Sequence, residues 1–99
     1  MLHIVNKSPF HTNSLGSCLR MAQAGSALLL IEDGVYAAAI GTAAESRIQQ
    51  AMTSLKVYAL KPDVDARGLG GKLAQGIELV DYGGFVDLTL EYTTVQSWL

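Results

Sequence analysis

Four short apolar runs constrain this chain more than anything else in it: residues 2–5 (LHIV), 27–31 (ALLLI), 57–60 (VYAL) and 77–80 (IELV). Each reads as a strand, and the unbroken run 27–31 is of the kind covered on both faces in a parallel sheet. Between them the apolar residues change period. Leu15, Cys18, Leu19 and Ala22 fall at i, i+3, i+4 and i+7, and Ala44, Ile48, Ala51 and Leu55 share a second face. Phe85, Leu88, Thr89 and Tyr92 repeat at the same helical spacing. Strand alternating with helix predicts right-handed βαβ crossovers. The fold class is therefore α/β: a single three-layer domain with a mainly parallel sheet of four to five strands, flanked by helices on both faces.

Local signals set the boundaries. Pro9 keeps residues 6–12 out of regular structure. Asn13 or Ser14 caps a first helix running to about residue 24, and Gly25 stops it. Glu32-Asp33-Gly34 ends the second strand, and a short helical turn follows over 35–40. A second helix spans about 43–54. Pro62 opens a short helix that Gly68 closes. Asp81 caps a last helix reaching about residue 92, and the tail 93–99 reads equally as an edge strand or an arm. In such sheets ligands gather at the carboxyl ends of strands, here the loops 6–13, 32–34, 61–62 and 81–84. No linker, repeat or low-complexity stretch divides residues 1–99, which form one domain.

Composition adds a demand for company. Charged residues make up 16% of the 99 and hydrophobic ones 49%, against about 25% charged in an ordinary soluble domain. A domain this small has too little polar material to cover itself, and the usual remedy is a partner surface. No apolar run approaches the roughly 18 residues of a membrane span. The formal net charge of −2 and the scattered Lys and Arg speak against direct nucleic-acid binding. A lone cysteine and a start, MLHIVNKSPF, without a basic leader or sustained apolar stretch point to the reducing cytoplasm.

Few motifs carry chemistry. Arg67-Gly68-Leu69-Gly70-Gly71-Lys72 suggests a phosphate loop, but Ala66 stands where the first glycine belongs and Leu73 follows the lysine. A connection is the better reading. His3, His11 and Cys18 offer no pair at metal-ligand spacing, so neither metal nor cofactor is expected. Asp33 and Asp81 both follow strands; they are an acid–base pair or, more in keeping with Asp-Gly and Asp-before-helix positions, turn and cap residues. Cys18 lies just past the first turn of its helix, where the positive dipole end has faded, and its neighbours on the stripe are apolar. Burial there raises a thiol pKa, unless Lys7, His11 or Arg20 folds over it. Trp98-Leu99 is costly in water, and either folds back or anchors a partner.

The words LHIVNKSPF, NSLGSCL, EDGVYAA, KVYALKPDVDARG and VDYGGFVDLT, with a Trp-containing end, run in order over essentially the whole chain and resemble the TusB/DsrH family. The likeness is closer to the DsrH branch, because TusB proteins of the thiouridine pathway commonly lack a cysteine at the position of Cys18. It implies one DsrE/flavodoxin-like domain over residues 1–99, in a cytoplasmic heterohexamer with TusC/DsrF-like and TusD/DsrE-like subunits. Such complexes relay sulfane sulfur as a cysteine persulfide to a TusE/DsrC-like acceptor. The TusBCD branch serves 2-thiolation of the wobble uridine in certain tRNAs; the DsrEFH branch serves oxidation of stored sulfur. In both, the principal sulfur-carrying cysteine is on the TusD/DsrE-type subunit. This chain is then mainly structural, with Cys18 as candidate persulfide carrier and Trp98 and Leu99 as candidate interface residues.

Overall fold

All strands of the sheet are parallel. The computed structural model describes residues 1–98; Leu99, half of the candidate interface pair, lies outside the described residues. The elements run β1 (Leu2–Val5), α1 (Ser14–Met21), β2 (Ala27–Leu30), a 3-10 helix (Glu32–Ala38), α2 (Glu45–Ala51), β3 (Lys56–Leu60), α3 (Lys61–Ala66), β4 (Glu78–Val80), α4 (Tyr82–Glu91) and β5 (Val95–Trp98). The five strands stand in the order β4-β3-β2-β1-β5. The ambiguous tail is thus an edge strand: Val95 lies beside Leu2 and Trp98 beside Val5.

This order decides the layers. The chain steps one way from β1 to β4, then returns past β1 to place β5. Right-handed crossovers put α1, the 3-10 helix, α2 and α3 on one face and α4 alone on the other. Side chains alternate accordingly along the strands. Val5, Leu28, Leu30, Val57 and Ala59 pack against Leu15, Cys18, Val35, Ile48 and Val64. Leu2, Ile4, Ala27, Leu29 and Tyr58 meet Phe85 and Leu88 of α4 and Tyr92 just past its end. The layers number three, as the pattern predicts, but they are lopsided.

Helix ends differ from the sequence reading, each for a local reason. α1 stops at Met21, short of residue 24. Ala22 is already extended, and its N–H donates to Cys18 O at 2.8 Å. Asn13 caps through its main chain, accepting from Ser17 N at 2.9 Å, while its side chain makes no cap bond. α2 is shorter than 43–54 because residues 52–55 turn: Thr53 Oγ1 donates to Gln50 O at 2.7 Å, a hydroxyl competing for a helix carbonyl. The helical turn at 35–40 is a 3-10 helix that begins at Glu32, which takes φ 49°. Asp81 behaves as expected, its Oδ1 accepting from Gly84 N at 2.8 Å to start α4.

The glycine-rich segment is a connection. Gly68 turns at φ 66° past the end of α3. The segment beyond is pinned to the 3-10 helix by Ile40 N donating to Lys72 O at 2.7 Å and Ala74 N to Ala38 O at 2.8 Å.

Candidate functional site

A parallel sheet carries all its strand carboxyl ends on one edge, and of the residues singled out in the sequence Asp33 and Asp81 lie there. Asp33 and Asp81 follow β2 and β4, with β3 between them, and each is engaged separately. Arg67 donates to Asp33 Oδ1 through Nε at 3.0 Å and Nη2 at 2.9 Å. The same guanidinium donates from Nη1 to Asp63 O at 3.1 Å and sits 5.9 Å from the Tyr36 ring centroid. Asp63 Oδ2 in turn accepts from Glu32 N at 2.6 Å. Arg67 is thereby the tie between the 3-10 helix and α3. The sequence offered it only as part of a glycine-rich run, and its partner Asp33 is 34 positions away, beyond any local pattern. Asp81 is the α4 cap. The structure does not unite the two carboxylates.

Beside this edge, Asn6 Oδ1 at the end of β1 is buried without a hydrogen-bond partner among the described residues. Gly34 packs so tightly over β1 that a Cβ there would overlap the Val5 carbonyl oxygen.

Cys18 lies inside the helical layer. It is 0% exposed and belongs to the cluster of Leu15, Val5 and Leu28. Desolvation pushes its thiol up to about 12, since removing water penalises the thiolate. Lys7 and His11 remain exposed in the loop before α1, and Arg20 is exposed farther along the helix. The apolar stripe settles this environment, as its spacing foretold.

Trp98 folds back. Its Nε1–H donates to His3 Nδ1 at 3.1 Å, with the ring centroids 6.1 Å apart and tilted 38°. His3 is 3% exposed. Burial lowers its pKa, and the amino-terminal charge of Met1 lowers it further. Partners 95 positions apart leave no local signal of their meeting. Among the described residues no group of three or more His, Cys, Asp or Glu side chains is placed to hold a metal ion, and no helix is long and apolar enough to cross a membrane.

Fold and site together define a class: a small all-parallel α/β domain whose cysteine is packed inside the first helix and whose edge carboxylates fasten loops. Comparison with known proteins makes this specific. The family model described as DsrH like protein matches residues 7–95. Protein TusB of Enterobacter sp. (strain 638) is 44% identical over 98 residues, covering 99% of this chain and 100% of that one. Protein TusB of Escherichia coli (strain K12) is 40% identical over 98 residues, with the same coverage. Among solved structures, the ychN protein from E. coli superposes with a TM-score of 0.81 at 23% identity over 97% of both chains, a likeness of fold. The chain belongs to the TusB/DsrH family.

Proposed function

We propose that this chain is a mainly structural subunit of a cytoplasmic sulfur-relay complex of the tRNA-thiolation type. The observation that carries this reading is the full-length likeness to proteins named TusB. The partners are a TusC/DsrF-like and a TusD/DsrE-like subunit in a heterohexamer, with a TusE/DsrC-like protein as sulfur acceptor. Sulfur oxidation of the DsrEFH type is the other branch of the same family, and the names of the curated relatives favour thiolation.

Chemistry supports the division of labour. In persulfide relay an acceptor thiolate attacks the outer sulfur of a cysteine persulfide; one S–S bond forms, one breaks, and the donor cysteine leaves as thiolate. That exchange needs an accessible, ionised sulfur. The closed, apolar setting of Cys18 suits packing, so the reacting cysteine belongs to a sister subunit. Direct contact with tRNA is not required of a chain with net charge −2.

The test is intact-mass analysis of the complex, wild type and Cys18→Ser, after exposure to a sulfane-sulfur donor. Sulfur added only to a partner subunit, with unchanged flux in the variant, is the expected result. Sulfur on this chain that the variant lacks and an acceptor removes makes Cys18 a carrier instead. Partners that assemble and thiolate tRNA without this chain sink the structural role.

A further inference from the structure

On the helical face of the sheet, α1 and α2 leave between them a groove of about 460 Å³. It is lined by Gly16, Leu19, Arg20, Arg47, Gln50 and Thr53 among others, and continues to Ser54 and Leu55, which lead into β3. It therefore lies away from the carboxyl edge and shares nothing with the loops described above.

Two guanidiniums meet in it. A Cβ built on Gly16 would lie 3.4 Å from Arg47 Nη1 and 3.6 Å from Arg20 Nη1, so both cations reach over the same glycine from different helices. Arg20 stands in the last turn of α1, where its charge would best complement the helix carbonyls. Its side chain instead runs back, Nη2 donating to Ser17 Oγ at 3.2 Å. The ion pairs among the described residues all belong to Lys61 and Arg67, and the groove is lined by no carboxylate. In a chain with nine acidic residues, two arginines share a pocket with each other and with no counter-charge. Gly16 is otherwise unexplained: a glycine inside a helix weakens it. Here its missing side chain leaves open the floor beneath both cations.

We propose that this groove binds a small dianionic tetrahedral oxyanion, free or as an ester. Planar forks approaching from two sides suit such an anion better than a single carboxylate. Gln50, Thr53 and Ser54 offer further polar groups, and Leu19, Ala22, Ala51 and Leu55 an apolar wall for an organic portion. Its volume falls within the range of small-molecule sites. The proposal stands independently of the sulfur-relay reading.

The test is calorimetric titration of the full chain with inorganic phosphate and, separately, with phenyl phosphate, while backbone amide shifts are followed. Saturable binding with shifts centred on Gly16, Arg20, Arg47, Thr53 and Ser54 is expected. The Arg20→Gln/Arg47→Gln double variant should bind at least about tenfold more weakly at an unchanged Tm, since both side chains are exposed. Tighter binding of phenyl phosphate identifies an ester as the ligand, and equal binding a free oxyanion. No saturation of either probe below roughly 10 mM, or binding that the double variant retains, overturns the proposal.

Discussion

His3 is a titratable side chain held where its neutral form is the one that fits. Its Nδ1 accepts from the Trp98 indole, so the ring is neutral with its proton on Nε2. Protonation would cancel the acceptor and charge a group that is 3% exposed. Because the folded pKa lies below the ordinary 6.5, the unfolded chain binds the extra proton first as pH falls. The contribution to stability is complete above pH 6.5 and declines below it toward the folded pKa, at no more than about 1.4 kcal/mol per pH unit. Thermal unfolding at pH 7.5 and 5.5 should show a lower Tm at the acid end, and His3→Gln should flatten the difference. An equally steep slope in the variant assigns the acid sensitivity to other groups. Gly34 is a steric case. Its Cα faces the Val5 carbonyl across a gap with no room for a methyl, so Gly34→Ala must displace β1 or the 3-10 helix. A loss above roughly 3 kcal/mol, read as poor soluble yield or a large fall in urea midpoint, is expected; a near-native midpoint removes the steric argument.

Between elements, the least legible contacts are those that fasten the loops. The first four strands could be read because each lies in a short, mostly apolar run, and the register of β1, β2 and β3 follows it; β5, with Gln96 and Ser97 in it, left its tail ambiguous. Cys18 could be read because its neighbours at helical spacing are apolar, and burial does raise its thiol. Helix ends were harder, since Ala22 and Thr53 end or shorten helices through hydrogen bonds that composition does not announce. Arg67 was harder still. Within its glycine-rich neighbourhood it read only as part of a connection, whereas its guanidinium serves Asp33, Asp63 and Tyr36. Arg67 is 22% exposed and Asp33 56%, so solvent screens the ion pair, and the main-chain bond and ring contact matter as much. Arg67→Ala should cost about 1–2 kcal/mol in urea unfolding, with α3 and the 3-10 helix gaining amide exchange ahead of the sheet. Uniform exchange across the molecule would mean that the tie does not hold these elements together.

For the whole molecule the decisive feature is the lopsided layering. One face of five strands is covered by a single helix of 10 residues, roughly 15 Å long. That helix is apolar on both sides: Leu88 and Phe85 face the sheet, while Tyr82, Val86 and Leu90 are 62%, 54% and 78% exposed. These three recur every fourth residue, so they form one outward stripe. Val95, 46% exposed on β5, shares the face. Asp87 and Glu91 are exposed on the same helix, yet a run of large apolar side chains left in water on so small a domain calls for a partner surface. This gives structural form to the low charge content, and we expect the stripe to dock a sister subunit of the sulfur-relay complex. Replacing Val86 and Leu90 by lysine leaves Leu88 and the inner contacts untouched. Such exposed changes should alter the chain's own stability by about 0.5 kcal/mol or less each. Burying two unpaired ammonium groups at an interface should instead abolish co-purification with the co-expressed partners. The Tm of the isolated variant separates misfolding from lost docking. A complex that survives with both lysines in place moves the docking face off α4.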